Sequence, residues 1–207
     1  MEFLTNQNIL LYLTTYLIAS IPFGYLLARR FAGVDIQKAG SGNIGATNVL
    51  RVVKEKDPLL AKKLGATTLF LDGLKGILVM VIAMMLDTPE GVLWSIALFA
   101  VMGHCFSLFL WFEGGKGVAT GFSAVTVMLP YAGLITIVVW AILAKGLKIS
   151  SLSSLVSIGV FVLSSYIVYP VVPDINSHAP VWIIAMLILY KHTPNIMRLL
   201  NKEESQV

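Results

Sequence analysis

The sequence predicts an all-α integral membrane protein of about seven transmembrane helices, with the amino terminus outside and the carboxyl terminus in the cytoplasm. Three observations predict it. The chain is 57% hydrophobic and only 13% charged, whereas a soluble domain carries about 25% charged residues. Its apolar residues gather in runs at about 8–28, 64–86, 91–112, 118–144, 151–172 and 180–190, and most of these are long enough to cross a hydrocarbon core of roughly 30 Å. Its 15 Lys and Arg sort cleanly between the runs.

The first run follows Met1-Glu2-Phe3-Leu4-Thr5-Asn6, which contains an acidic residue and no basic one. A cleaved signal peptide carries a positive n-region there, so the run is expected to persist as the first helix. Eight basic residues fill 29–63 (Arg29, Arg30, Lys38, Arg51, Lys54, Lys56, Lys62 and Lys63), and Lys75 sits inside the second run. Lys116 precedes the fourth run, Lys145 and Lys148 follow it, and Lys191, Arg198 and Lys202 close the chain. None lies in 1–8, 87–90 or 171–180. The positive-inside rule then makes every basic loop cytoplasmic.

That orientation holds only if 118–144 crosses twice, or enters and returns. As one helix it would be about 40 Å long at roughly 1.5 Å per residue. Pro130 near its middle divides it into two short helices. The rival arrangement, five crossings with a tilted fourth helix, strands Lys145 and Lys148 outside. No internal repeat is visible, and residues 1–207 read as a single domain. The lone cysteine, Cys105, leaves no disulfide or thiolate metal cluster. A net charge of +4, dispersed among loops, reads as topology and gives no nucleic-acid partner.

Four segments carry polar chemistry. In Ser41-Gly42-Asn43-Ile44-Gly45-Ala46-Thr47-Asn48-Val49-Leu50-Arg51, most side chains are absent, small or hydrogen-bonding. Glycines admit close backbone approach, and successive N–H groups with hydroxyl and amide side chains make a nest for anionic oxygens. In 103–120, an apolar run ends in Glu113-Gly114-Gly115-Lys116-Gly117 and another begins with Val118-Ala119-Thr120. Backbone donors at a helix start, three glycines and a lysine again describe a phosphate site. It is not a Walker A loop, because no glycine precedes Gly115-Lys116 at the required distance and Val118 replaces the first Ser/Thr. Near the carboxyl end, His192 and Asn195 are three apart at a helix end on the same face. Ser150, Ser151, Ser153 and Ser154 follow Lys148 and are expected to act chiefly as helix caps.

Asp72 and Lys75 are expected to pair within the second helix and to hold helices together, although an intramembrane ion is a functional candidate by default. His104 and Cys105 read as packing or hydrogen-bonding residues, and His178 as incidental. Five Asp and six Glu do not cluster, so the spaced aspartates of a two-metal phosphotransferase are missing. Phe109, Ile183 and Met197 stand five residues after the three histidines, which removes a His-x4-Asp acyltransferase dyad. No metal and no cofactor is expected.

Together these segments resemble one family, the bacterial acyl-phosphate:glycerol-3-phosphate acyltransferases, the PlsY family. The resemblance extends to Ser20-Ile21-Pro22-Phe23-Gly24 and Asp72-Gly73-Leu74-Lys75-Gly76 and so spans nearly the whole chain. The chain departs at Ser107, where the family usually has proline, and at Thr193-Pro194, where it commonly has charged residues. The resemblance implies seven transmembrane helices, a cytoplasmic-face site in the bacterial inner membrane, and acyl transfer from acyl phosphate to the sn-1 hydroxyl of glycerol 3-phosphate. It implies glycerol-3-phosphate contacts at Arg51, Lys116, His192 and Asn195, with Ser154 as an addition. It implies an acyl-phosphate cradle at Ser41, Gly42, Asn43, Gly45, Thr47, Asn48, Gly114, Gly115, Gly117 and Thr120. Ser41, Lys116, His192 and Asn195 are the expected catalytic set. A functional link to the soluble acyl-phosphate synthase follows from the donor. The competing classes are a small anion transporter with glycine loops as gates, and a structural membrane subunit.

Overall fold

The computed structural model describes residues 6–206, and every regular element among them is helical. Helix α1 (Gln7–Ser20) is capped by Asn6, whose side chain accepts from the N–H groups of Asn8 and Ile9. Pro22 breaks it, and the chain continues as α2 (Phe23–Leu27) and a π turn over Ala28–Ala32. A loop leads to the short amphipathic α3 (Ala46–Lys54). The long α4 (Pro58–Met85) starts at Pro58, with Asp57 accepting from Leu59 N and Leu60 N at 2.9 Å. This cap places the helix start six residues before the apolar run at 64, because proline at the first position and a capping aspartate favour initiation there.

Helix α5 (Glu90–Cys105) ends at Phe106 and is followed by a 3-10 turn, Leu108–Leu110. Ser107, in the position where proline was expected, has φ −65°, the value proline would impose. Its hydroxyl donates to Ser20 O at 2.5 Å and ties the turn to the end of α1. The expected division at Pro130 is present: α6 (Val118–Met128) ends before it, and α7 (Pro130–Leu147) starts on it. Then come α8 (Ser150–Val168), α9 (Ala179–Lys191) and α10 (Thr193–Leu200). Among the described residues, five spans are long and apolar enough to cross a membrane, while α6 and α9 are shorter apolar helices.

The core is built from close helix crossings. Gly103 of α5 meets the backbone of α1, where an added β-carbon would stand 2.5 Å from Tyr16 O. Gly76 of α4 meets α6 in the same way, 2.5 Å from Thr120 O. Small residues at crossings let backbones approach where lipid tails offer no hydrophobic drive to pair helices. A larger cluster around Met80, Ile96, Phe122, Phe161 and Ile184 fills the bundle. A smaller one, including Ile36, Ile44, Val49 and Val53, lies beneath the loop after α2. Large apolar side chains such as Phe70, Met85, Ile142 and Ile167 point outward, while Thr68, Thr136 and Ser165 are buried.

Gly76→Ala tests the crossing. Helix propensity alone would favour alanine by up to ~1 kcal/mol, yet overpacking against Thr120 is expected to destabilise the protein by about 2 kcal/mol. Gly91→Ala, with open space around it, is expected not to destabilise. Unfolding midpoints of both variants in detergent check this.

Candidate active site

Four helices begin at one cavity, and none of the four carries a side-chain cap. α3 starts after Gly45, α6 after Gly117, α8 after Ile149 and α10 after His192. The cavity, about 270 Å³, takes Ala46 and Thr47, Gly117 and Val118, Ser150 and Ser151, and His192 and Asn195 into its wall. An uncapped helix start offers free N–H groups and a partial positive charge. The wall therefore attracts anions before any side-chain charge is counted. Arg51 and Lys116 add two full cations.

The first loop is held by Asn48, which is 1% exposed. Its Oδ1 accepts from Ser41 N at 2.9 Å, and its Nδ2 reaches Ile36 O, Ala39 O and Asn43 O at 3.0, 3.1 and 2.8 Å. Gly40, with φ +60°, is glycine because a β-carbon would overlap Asn48 Oδ1. Asn43 Oδ1 accepts from Gly45 N at 2.8 Å. Both amides expected in an anion cradle thus serve partly as scaffold, although Ser41, Asn43, Gly45, Thr47 and Asn48 all line the cavity. Gly42, at φ +71°, makes the turn and does not line it. Thr47 Oγ1 meets Ser150 Oγ at 2.9 Å and joins α3 to α8.

The second loop divides. Lys116 and Gly117 line the cavity; Gly114, Gly115 and Thr120 do not. Gly115 N donates to His104 O at 2.9 Å. A β-carbon at Gly114 would overlap His104 O, and one at Gly115 would overlap His104 Nε2. These two glycines serve close approach of the turn to α5, not to a ligand. Thr120 is fully buried and donates to Asp72 O at 2.8 Å, joining α6 to α4. Burial pulls the Lys116 ammonium down to about 8; Glu204 opposes the shift, and Arg198 and Arg51 add to it.

His192, 1% exposed, donates from Nδ1 to Ile188 O at 2.8 Å, which leaves Nε2 as an acceptor. Burial, with Lys116 nearby, lowers its pKa to about 4 and keeps the ring neutral, against a raising effect of the Ile188 carbonyl. Pro194 in the first turn of α10 suits that position, and Thr193 Oγ1 donates to Tyr190 O at 2.7 Å. The family departure is accommodated there. Arg51 Nε and Asn195 Oδ1 are buried without a hydrogen-bond partner among the described residues.

The serines are not caps. Ser150 meets Thr47, Ser151 donates to Glu204, and Ser153 and Ser154 donate back to Ile149 O and Ser150 O at 2.9 Å. Trp140 Nε1 donates to Ser154 Oγ at 3.1 Å, so the Ser154 hydroxyl is engaged although it lines the cavity.

Glu204 was not legible in the sequence. Its carboxylate accepts from Ser151 Oγ at 2.8 Å, Asn195 Nδ2 at 2.7 Å and Arg198 Nε at 2.6 Å. Burial would raise its pKa, but the bonds from Arg198, Ser151 and Asn195 outweigh that and hold it below the usual range. No local signal marks a glutamate in a polar tail; only contact across the fold does. Asp72 and His104 also line the cavity. Asp72 pairs with Lys75 at 3.0 Å, and Lys75 donates to Ile21 O at 3.0 Å, which is the helix-holding role expected of the pair.

The family model described as glycerol-3-phosphate acyltransferase matches residues 9–202. The chain is 55% identical over 207 residues to the glycerol-3-phosphate acyltransferase of a Nitratiruptor species, covering 100% of this chain and 99% of that one. It is 54% identical over 207 residues to the enzyme of the same name from Sulfurimonas denitrificans, covering all of both chains. The solved structure of PlsY, an integral membrane glycerol 3-phosphate acyltransferase, in its glycerol 3-phosphate form, superposes with TM-score 0.85 at 34% identity, covering 98% of this chain and 96% of that one. Its lysophosphatidic acid form gives TM-score 0.83 over 97% of this chain and 95% of that one.

Affinity of the cavity for inorganic phosphate, measured by calorimetry, is expected to fall as pH rises through about 8, where Lys116 loses its charge. Lys116→Arg, charged throughout, is expected to remove that limb. Glu204→Ala is expected to lower the unfolding midpoint in detergent, with a loss on the order of 1 kcal/mol, because Arg198 is 35% exposed and regains water while buried Asn195 loses a partner.

Proposed function

The chain belongs to the glycerol-3-phosphate acyltransferase family, and we propose that its donor is acyl phosphate and its acceptor atom the sn-1 hydroxyl of glycerol 3-phosphate. The products are 1-acyl-glycerol 3-phosphate and inorganic phosphate. The observation that carries this reading is one cavity where four uncapped helix starts meet Arg51 and Lys116. That is enough positive potential to hold two phosphate groups side by side against their mutual repulsion.

Acyl phosphate is a mixed anhydride and already activated, so the transfer needs no metal or cofactor. The glycerol oxygen attacks the acyl carbonyl carbon, the bond from that carbon to the phosphate oxygen breaks, and phosphate departs. Free N–H groups at the helix starts stabilise charge on the carbonyl oxygen and on the leaving group. The hydroxyl proton passes to the departing phosphate, while Ser41, His192 and Asn195 align the hydroxyl. The low pKa of His192, about 4, makes it a weak base at neutral pH and favours this substrate-assisted route over a histidine base. Arg51, Lys116, His192 and Asn195 hold glycerol 3-phosphate. Ser41, Asn43, Thr47 and the N-termini of α3 and α6 hold acyl phosphate.

Placement at one face of a seven-crossing protein is supported by the helix ends that meet at the site, and the cytoplasmic assignment of that face by the basic residues of its loops. The starts of α6 and α8 and the far ends of α5 and α9 all contribute to one wall, as alternating traverses require. A side groove of about 420 Å³, lined by Leu50, Ala66 and Ala144 with Lys62 and Lys148, adjoins the cavity at Thr47, Leu69 and Trp140. It suits an amphiphilic donor arriving from the bilayer, supplied by a soluble acyl-phosphate synthase.

Purified protein in detergent is expected to release phosphate from palmitoyl phosphate only when glycerol 3-phosphate is present. Arg51→Ala is expected to lower kcat/KM by roughly 10- to 100-fold, the value of one hydrogen bond to a charged group. Uptake of phosphate into vesicles with no acylated product would overturn the enzymatic reading.

A further inference from the structure

His104 lies one residue from the end of α5, is 4% exposed, and belongs to the cavity wall. It is held from two sides. In front, its carbonyl accepts Gly115 N at 2.9 Å, and its Nε2 edge occupies the space a β-carbon on Gly115 would need. Lys116 is the next residue, so the lysine-bearing turn rests directly on the imidazole. Behind, Nδ1 faces Asp72 Oδ1 at 3.6 Å, too far for a hydrogen bond. That nitrogen is buried and has no hydrogen-bond partner among the described residues. Asp72 is fixed by Lys75, which is fixed in turn to Ile21 O.

An unpartnered buried nitrogen is costly, and hydrogen bonds in active sites that are long without substrate tighten when it binds. We propose that His104 is a positioning residue that sets where Lys116 meets the substrate phosphate, with Asp72 as its backstop. The proposal rests on the acyl-transfer reading above. A carboxylate facing Nδ1 selects the tautomer with the proton on Nδ1. As phosphate draws Lys116 inward, Gly115 presses the ring toward Asp72, and Nδ1–H donates to the carboxylate. A shift of roughly 0.5 Å suffices to bring the pair within bonding range. The ion pair at membrane depth then backs a turn at the mouth of the site.

The test is a set of variants of the full chain: His104→Ala, Gly115→Ala, both together, and His104→Asn, which keeps an N–H near the Nδ1 position. Each is read by initial rates with palmitoyl phosphate and by calorimetric affinity for glycerol 3-phosphate across pH. His104→Ala is expected to weaken glycerol 3-phosphate at least tenfold, with a larger effect on KM than on kcat. It is also expected to move the alkaline limb of Lys116 up from about 8, as the freed ammonium regains water. The groups facing Lys116 are Arg51, His192, Arg198 and Glu204, and all are unchanged in these variants. His104→Asn is expected to retain more activity than His104→Ala. The double variant is expected to match His104→Ala, because the new methyl enters the space left by the ring. Losses that multiply in the double variant, or an alkaline limb that stays put in His104→Ala, would overturn the proposal. A wild-type protein inert toward palmitoyl phosphate would instead defeat the acyl-phosphate reading, and the calorimetric pattern would still decide the role of His104.

Discussion

The candidate site depends on four converging helix starts that have no side-chain caps and so offer free N–H groups to anionic oxygens. A missing N-cap typically costs about 1 kcal/mol, and α3, α6, α8 and α10 all lack one. Asn6 at α1 and Asp57 at α4 each accept two backbone N–H groups, while the starts of α2, α5, α7 and α9 also lack side-chain caps. What sets α3, α6, α8 and α10 apart is convergence: their uncapped starts share one cavity wall, where an anion would satisfy the free donors.

That requirement explains features that packing alone would not. Four starts cannot converge unless the chain returns repeatedly to one end of the bundle, and the Pro130 break provides one of those returns. Helix α6 is eleven residues long, about 16 Å at the usual rise, which is too short to span the hydrocarbon by itself. It begins inside the bundle, where Gly117 at φ +81° turns the chain into it. A lysine on that turn is therefore partly withdrawn from water, and its lowered pKa is a consequence of where the helix has to start.

Much of the helical pattern was legible because hydrophobic runs report directly on the bilayer. The runs, the split at Pro130 and the Asp72–Lys75 pair followed from spacing. The polar loops that line the cavity stood out because their residue types are rare beside apolar helices. Sequence could not separate residues that build the loop from those that face the cavity. Asn48 does both, clamping three carbonyls while lining the cavity, and Gly115 is the same residue type as cavity-lining Gly117 yet makes room for an imidazole. The serines of α8 looked like caps, since nothing local reveals that Thr47 and Glu204 stand opposite them. His104 read as packing because its partners lie 32 residues before it, at Asp72, and 11 after it, at Gly115.

Glu204 is the apparent contradiction, a carboxylate lining a cavity built for anions. Its charge is met by Arg198, with Ser151 and Asn195 completing its hydrogen bonds. Arg51 and Lys116, by contrast, have no carboxylate within ion-pair distance among the described residues. The glutamate thus neutralises Arg198, orients Asn195 and leaves unneutralised the two cations proposed to meet the substrates. Without it, Arg198 would be free to turn toward an incoming phosphate and compete for its oxygens, and Asn195 would lose the bond that orients it. An anionic site at a membrane surface needs positive charge, and it also needs that charge confined to the residues that meet the reacting groups. One carboxylate on the tail accomplishes that confinement.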